Sequence, residues 1–371
     1  MFLQYKNKKE AESILNLTDK ALFAGNIIFN ENLIIKGDNL PCLKSLLDVY
    51  ARKIDLVYID PPFSTNNIFR AGNDRVSTIS SNKKHDIAYT DKLKEDEFLE
   101  FIRERLIFLR ELLSDKGSIY LHIDYKTGHY IKIIMDEVFG RKNFRNDISR
   151  IKCNPKNFRR KAYGNIKDMI LFYTKTSDYV WNEPLTSLSK EQMNKLFNKT
   201  DTNGRKYTTN PLHAPGETTN GKSGQAWKGM PPPEGRHWRH APEVLDQLET
   251  DGLIQWSKNG VPRKIIFADD YGQARLQDVW EFKDSQKPAY PTEKKIDMLK
   301  TIIKTSSDEN SFVLDCFCGS GNTLLVAAEL DRKWIGIDNS DIAITICRKR
   351  FEKPDTEMFQ NNYKYSFLQQ K

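Results

Sequence analysis

The sequence has no long apolar run and few cysteines. None of its uninterrupted apolar stretches approaches the roughly 20 residues that span a bilayer, and residues 1–10 lack the apolar core of a secretory signal. The five cysteines are scattered and odd in number, which argues against a disulfide framework and is typical of free thiols in a reducing compartment. No Cys/His pair follows Cys316 and Cys318 at ligand spacing, so we expect no metal site. With no repeats and no long low-complexity tract, the sequence favours a soluble, cytoplasmic globular protein.

Length and charge bound the remaining choices. A chain of 371 residues exceeds the size of most compact domains, which favours a large core domain with an insert or a second lobe. A formal net charge of +8 with 11% aromatic residues suits an enzyme that binds a polyanion, although many basic globular proteins bind nothing charged. Charge alone therefore leaves a nucleic-acid enzyme and an ordinary basic protein both open.

The apolar run of residues 54–59 ends in Asp60-Pro61-Pro62-Phe63. Neither proline can donate a ladder hydrogen bond and each fixes its own φ, so a strand over 54–59 must end here in a stiff turn. The turn holds a carboxylate, a backbone carbonyl and an aromatic face at the carboxyl edge of a sheet, where α/β proteins bind ligands. A flat aromatic ring with an amino group would suit it. A plain turn that closes a strand explains the same four residues.

A second motif lies near the other end of the chain. A strand ending at Asp315 leads into Cys-Phe317-Cys-Gly319-Ser-Gly321-Asn-Thr323, then a helix, then a strand over 333–338 that ends in Asp338. The glycines allow backbone to approach a ligand, the helix start favours an anion, and Asp338 is placed to bind ribose hydroxyls. A dinucleotide fold would need a third glycine where this sequence has Leu324, so a dehydrogenase is the poorest fit.

Together these motifs resemble those of the amino-group DNA methyltransferases. Asp-Pro-Pro-Phe is similar to their catalytic motif, Asp-x-Phe-x-Gly-x-Gly-x-Thr to their S-adenosylmethionine motif, and Tyr290-Pro-Thr-Glu-Lys294 to their His-Pro-Thr-Gln-Lys segment. This sequence departs from the family's pattern at Tyr290, Glu293 and Asn322. The catalytic motif comes first and the cofactor motif last, a permuted order that resembles the β group of these enzymes.

The resemblance implies the fold and the site. The fold would be α/β, a Rossmann-like S-adenosylmethionine-dependent methyltransferase sheet with an inserted irregular target-recognition region. Residues 1–178 and 287–371 would form the catalytic domain, and residues 179–286 the target-recognition region. The implied catalytic residues are Asp60, Pro61, Pro62 and Phe63. Residues implied to bind S-adenosylmethionine are Asp38, Thr292, Asp315, Phe317, Gly319, Gly321, Thr323 and Asp338.

Basic segments are candidates for contact with DNA phosphates. Residues 64–90 are polar, basic and weakly periodic and are expected to be a long loop that gates the substrate. Residues 154–163 mix cations with aromatics, which favours phosphate contact over a plain solvated loop. In the insert, an Arg/His/Trp cluster could contact bases or phosphates, and an ordinary loop stabilised by its aromatics explains it as well. The candidate DNA-binding residues are Arg70, Arg75, Lys83, Lys84, Lys156, Arg159, Arg160, Lys161, Arg236 and Arg239, with His237 and His240 beside the last two.

The implied activity is methylation of an adenine N6 amino group in duplex DNA, with the base flipped out and stacked on Phe63. By the resemblance, Asp rather than Ser at position 60 favours adenine N6 over cytosine N4, which stays an alternative. A protein or RNA methyltransferase and a non-catalytic DNA-binding module remain as competing classes. The implied partners are double-stranded DNA, a cognate restriction endonuclease and a second copy of the chain, in a bacterial cytoplasm and with no membrane.

Overall fold

The computed structural model describes residues 2–62, 68–71, 86–90, 95–155, 161–218, 220–271, 273–284, 294–352 and 363–371. The chain divides into two compact units. The first comprises Met1–Pro184 and Gln277–Lys371, and the second comprises Leu185–Leu276. No helix in the described ranges is long and apolar enough to cross a membrane.

The elements follow in chain order. Before the second unit they are α1 (Ala11–Leu17), β1 (Leu33–Lys36), α2 (Asn39–Tyr50), β2 (Ile54–Ile59), β3 (Ile68–Ala71), β4 (Asp86–Thr90), α3 (Glu95–Leu112), β5 (Leu113–Ile123), α4 (Gly128–Phe139), β6 (Phe144–Ile151) and β7 (Lys167–Thr174). The second unit contains β8 (Leu185–Thr186), α5 (Lys190–Leu196), β9 (Lys199–Thr200), β10 (Lys206–Pro211), β11 (His213–Pro215), β12 (Arg236–Trp238), α6 (Pro242–Thr250), β13 (Ile254–Trp256), β14 (Pro262–Phe267) and β15 (Ala274–Arg275). The chain then forms β16 (Val279–Trp280), α7 (Ile296–Ser306), β17 (Phe312–Asp315), α8 (Asn322–Glu329), β18 (Lys333–Asp338), α9 (Asp341–Glu352) and β19 (Ser366–Gln369).

Among the described residues, the first unit is built on a nine-stranded sheet with the order β16-β6-β7-β5-β2-β17-β18-β1-β19. β7 runs antiparallel to its neighbours β5 and β6, and the other neighbouring strands are parallel. The two strands that carry the sequence motifs, β2 and β17, are direct neighbours although they lie far apart in the chain. The strands β2, β17, β18 and β1 therefore end side by side at one edge.

Helices cover both faces of this sheet. On one face, alternate strand residues such as Val57, Ile59, Ile119 and Leu121 share a core with α1, α2, α3 and α4. Tyr120 points to the other face, where its hydroxyl lies 2.8 Å from Ser306 Oγ of α7. Such alternation follows from the period of two along a strand. The predicted α/β architecture with a large sheet is confirmed.

The second unit has a small core of its own. Its main sheet is four-stranded and antiparallel, in the order β13-β14-β10-β9. Leu212, Trp227, Trp238, Leu245 and Leu248 are buried together. Trp227 also stacks on Trp256 with the ring centroids 5.6 Å apart. The insert that was expected to be irregular thus contains a sheet and a small core of its own.

Other expectations also differ from the structure. The long loop expected over 64–90 contains an antiparallel pair, because β3 and β4 hydrogen-bond to each other. The last twenty residues carried no prediction, yet β19 pairs in parallel with β1. The second unit begins at Leu185 and ends at Leu276, inside the expected 179–286.

Candidate active site

Four aspartates lie at the carboxyl ends of four adjacent parallel strands. Asp315 and Asp338 end β17 and β18, Asp60 directly follows β2, and Asp38 lies two residues beyond β1. The strand order makes their sequence along the edge Asp60, Asp315, Asp338, Asp38. Parallel sheets bind ligands at this edge, so the fold joins residues from both ends of the chain in one candidate site.

Asp315 shapes the glycine-rich turn. Its buried carboxylate accepts hydrogen bonds from Phe317 N at 3.0 Å and from Thr323 Oγ1 at 2.7 Å. Burial raises the pKa of Asp315 to about 7, although these two hydrogen bonds work against the shift and the nearby carboxylates of Asp60 and Asp338 add to it. Asp315 therefore fixes the two ends of the turn.

The glycines of the turn have conformations that other residues rarely adopt. Gly321 caps α8 with φ +85°, and a Cβ placed on it would lie 2.5 Å from Cys347 Sγ. Gly319 has φ +52°, and its N–H donates to Asp338 Oδ2 at 2.9 Å. Close packing and left-handed backbone together require glycine at position 321.

Asp338 and Asp38 both hold backbone at the same edge. Asp338 Oδ1 accepts from Ser340 N at 2.9 Å, and burial raises the pKa of this carboxyl group. Asp38 caps α2 by accepting from Leu40 N at 3.0 Å, and it also pairs with Arg105 at 3.1 Å. The Asp38 side chain is 59% exposed, so it remains accessible to a ligand.

Asp60 pairs with Lys294, the last residue of the Tyr290–Lys294 motif, to which the sequence analysis assigned no role. Its Oδ2 lies 2.8 Å from Lys294 Nζ, and both side chains are largely buried. Among the described residues, the buried Asp60 Oδ1 has no hydrogen-bond donor. Buried polar atoms are nearly always satisfied in native proteins, so Oδ1 marks a place where a ligand N–H would bind. Pro61 is buried beside it.

A buried polar cluster lies behind this strand end. His122, fully buried in β5, has Nδ1 3.1 Å from the Tyr58 hydroxyl and Nε2 3.3 Å from Asp168 Oδ2. Asp168 also accepts from Lys152 at 2.6 Å and faces Arg150 at 3.6 Å. Burial opposes ionisation of Asp168, but its bonds to His122 and Lys152 outweigh burial and hold its pKa well below the usual range. Burial, followed by the charge of Lys294, lowers the pKa of His122. His122 is thus a buried core residue with hydrogen-bond partners at both ring nitrogens.

The described part of the site fits S-adenosylmethionine. A turn without a side chain at Gly321 leaves backbone open to close approach, and α8 begins there with unpaired N–H groups. The exposed carboxylate of Asp38 at the same edge offers a hydrogen-bond acceptor to hydroxyl or amino groups of a ligand. The structure thus brings together Asp60, Pro61, Pro62, Asp38, Asp315, Phe317, Gly319, Gly321, Thr323 and Asp338 on the first unit.

Several of the predicted catalytic, cofactor-binding and DNA-binding residues lie outside the part of the chain that the structure describes. Phe63, Thr292, Arg75, Lys83, Lys84, Lys156, Arg159 and Arg160 fall outside the described residues, and the side chain of Arg70 is likewise not described. Lys161 is described and exposed. In the second unit, Arg236 Nη1 lies 3.1 Å from His213 Nδ1, and Arg239 Nε donates to Pro211 O at 3.1 Å. These two arginines lie on or beside β12, near His237 and His240.

Comparison with known proteins identifies the family. A family model described as DNA methylase, for the N6/N4 enzymes, matches residues 54–349. The type II methyltransferase M.EcaI of Enterobacter cloacae is 40% identical over 362 residues, which cover 94% of this chain and 77% of that protein. The StyLTI Mod subunit, from a type III restriction-modification enzyme of Salmonella typhimurium, is 27% identical. That match covers 79% of this chain and 49% of the Mod subunit.

Similarity to solved structures is weaker. The M1.HpyAVI–SAM complex is 17% identical with a TM-score of 0.44, and the match covers 86% of this chain and 99% of that one. The family model extends over most of the chain, from β2 into α9. The chain therefore belongs to the N6/N4 DNA methylase family of S-adenosylmethionine-dependent DNA methyltransferases.

Proposed function

We propose that this protein transfers a methyl group from S-adenosylmethionine to the N6 amino group of a flipped-out adenine in duplex DNA. The observation that carries the proposal is the buried Asp60 Oδ1, which lacks a donor among the described residues and lies at the strand end next to the glycine-rich turn. An exocyclic amino group supplies the N–H that this oxygen needs. The order of the motifs along the chain supports assignment to the permuted β group.

The residues act by position and by charge. Asp60 Oδ1 and the Pro61 carbonyl accept the two N–H bonds of the amino group, which turns the nitrogen lone pair away from the ring and toward the methyl donor. S-adenosylmethionine, when bound, supplies a methyl group on a positively charged sulfur. The methylated nitrogen is acidic, and Asp60 is the neighbouring acceptor for its proton. Phe63 stacks on the flipped base.

The remaining predicted residues divide between the two ligands. We assign Asp38, Thr292, Asp315, Phe317, Gly319, Gly321, Thr323 and Asp338 to the cofactor site. Some of these act directly and others, such as Asp315, by shaping the turn. DNA phosphates or base edges would be bound by the basic segments around 64–90 and 154–163 and by Arg236 and Arg239. Because such contacts neutralise phosphates, the affinity for DNA should fall steeply as the salt concentration rises.

We further infer a role in restriction-modification, with a cognate endonuclease in a bacterial cytoplasm. The support is that relatives over most of the chain carry the names of type II methyltransferases and type III Mod subunits. Asp at position 60 favours adenine over cytosine by the family resemblance.

The test is methyl transfer from labelled S-adenosylmethionine to mixed duplex DNA, followed by nucleoside analysis. We expect N6-methyladenine from the unaltered protein and none from Asp60→Ala. Asp48→Ala removes an exposed carboxylate of α2 that is paired with Lys20, and this control variant should stay active. N4-methylcytosine as the product would leave the proposed mechanism standing and show that the target base is cytosine rather than adenine. Cofactor binding without any DNA methylation would redirect the search to RNA or protein substrates.

A further inference from the structure

The ion pair with Lys294 makes the two carboxylate oxygens of Asp60 different from each other. Lys294 Nζ lies 2.8 Å from Oδ2, whereas Oδ1 is buried and lacks a donor among the described residues. The side chains are only 17% and 10% exposed, so water screens the pair weakly. A carboxylate held at one oxygen can rotate little, and the other oxygen then keeps a fixed direction.

Lys294 is itself anchored to the cofactor turn. Its carbonyl oxygen accepts a hydrogen bond from Asn322 Nδ2 at 3.0 Å. Asn322 is the first residue of α8 and directly follows Gly321, and its Oδ1 accepts from Arg350 Nη1 of α9. Because arginine only donates, it fixes which end of the Asn322 amide faces the Lys294 carbonyl. The backbone that carries the lysine is thus tied to the residue that follows the second glycine.

The charges around Asp60 explain why a cation is needed there. Asp315 and Asp338 end the next two strands along the edge, and Asp60 is among the groups that make ionisation of Asp315 unfavourable. Carboxylates that share a site disfavour one another's ionised form, and an adjacent cation opposes this. Lys294 supplies a positive charge next to this row of carboxylates.

We propose that Lys294 is a positioning residue for Asp60, which binds Oδ2 so that Oδ1 stays aimed at the amino group of the base. The inference rests on the proposed function, since it assigns Lys294 to the step that Asp60 performs. Through Asn322, the same lysine links the glycine-rich turn to the catalytic carboxylate. Lys294 does not touch the reacting atoms.

The experiment compares Lys294→Met and Lys294→Arg with the unaltered enzyme in single-turnover methylation at saturating cofactor and duplex DNA. Misplacement of a catalytic group by about 1 Å lowers rates by roughly 100-fold, so we expect Lys294→Met to slow methyl transfer about 10- to 100-fold. The loss should persist at saturating concentrations, because the direction of Asp60 Oδ1 changes and not the affinity for either ligand. Lys294→Arg keeps a charged donor for Oδ2 and should recover much of the rate.

The matched control is Lys295→Met, which removes the neighbouring lysine. The Lys295 side chain is 45% exposed, and its Nζ makes a long ion pair of 3.9 Å with Asp297 Oδ2. This control should match the unaltered enzyme in the rate of methyl transfer. Equilibrium binding of labelled S-adenosylmethionine should change less than about twofold in all three variants, which separates positioning of Asp60 from loss of the cofactor site.

The outcomes are distinguishable. An unaltered rate in Lys294→Met would overturn the inference and leave the proposed function standing. Equal losses of rate in Lys294→Met and Lys294→Arg would reduce Lys294 to a structural contact and also overturn the inference. If the unaltered enzyme methylates no DNA at all, the proposed function fails and the inference fails with it.

Discussion

Gly321 shows how a single residue can be fixed by backbone and packing together. Its φ of +85° lies in the left-handed region, and Cys347 Sγ occupies the space that a side chain would need. The left-handed backbone conformation alone costs a non-glycine residue about 1–2 kcal/mol. The clash adds to it, because Cys347 is fully buried on α9 and has little room to move.

Gly321→Ala should therefore lower the free energy of unfolding by about 2 kcal/mol or more and weaken cofactor binding. The double variant Gly321→Ala/Cys347→Ala removes the sulfur and should lose less stability than the sum of the two single variants. Urea denaturation of all four proteins measures this coupling. Strict additivity would mean that Cys347 does not confine position 321.

Asp315 predicts a pH dependence at the same scale. Its pKa is raised from 3.8 to about 7, so the folded protein binds a proton more tightly than the unfolded chain does. The contribution of this group to stability is thus fully present below about pH 4 and is lost as the pH rises through about 7. Asp315→Asn should flatten this decline in urea denaturation between pH 4 and 8. Asp19→Asn, an exposed control, should not change it. A slope unchanged by Asp315→Asn would show that the carboxyl group titrates in its ordinary range.

At the scale of elements, the antiparallel strand β7 is tied to its neighbours by a buried charge. Asp168 joins His122 of β5 and Arg150 of β6, and it also bonds Lys152 just beyond β6. Removing one partner of a buried ion cluster leaves the others uncompensated, which costs about 3–5 kcal/mol. The cluster thus stabilises the strand arrangement beside Asp60 and accounts for a histidine in the sheet core.

Asp168→Asn should lower the free energy of unfolding by about 3–5 kcal/mol at pH 7. Because the pKa of Asp168 is depressed in the folded state, its stabilising contribution is present above its ordinary pKa and is lost as the pH falls. The difference between variant and unaltered protein should therefore shrink toward pH 3 in urea denaturation. Asp147→Asn, which changes an exposed carboxylate on β6, provides the comparison. A deficit that does not depend on pH would argue against the charge as its source.

The elements differ in how far the sequence could predict them. β2 and β18 were predicted with the bounds they have, because each is a short apolar run closed by an aspartate. β19 is four residues long and depends on pairing with β1, so no local pattern indicates it. The same holds for the short strands of the second unit. The sequence did not indicate the role of Lys294, although this lysine ends the Tyr290–Lys294 motif. Its ion pair with Asp60 joins two segments that only the fold brings together.

At the scale of the whole molecule, the second unit should respond independently to damage in its core. Leu245 is fully buried there among Trp227 and Trp238. Leu245→Ala in the full chain should destabilise this unit by about 2–5 kcal/mol. Hydrogen exchange measured by mass spectrometry should then rise within residues 185–276, and cofactor binding should persist. Val244→Ala, at an exposed neighbouring position, should leave exchange unchanged. A rise in exchange across β2 or β17 would contradict the independence of the two units.

The adjacency of β2 and β17 has a consequence for the protein during its synthesis. A ribosome releases β2 long before β17, the strand that pairs with it and leads into the glycine-rich turn. At about 5–20 residues per second, the interval lasts roughly 10–50 s. Throughout this time the nascent chain has an unpaired strand edge, the kind of surface on which chains aggregate. Newly made copies should thus depend on chaperones until β17 emerges, and a stalled chain can neither hold a methyl donor nor mark DNA.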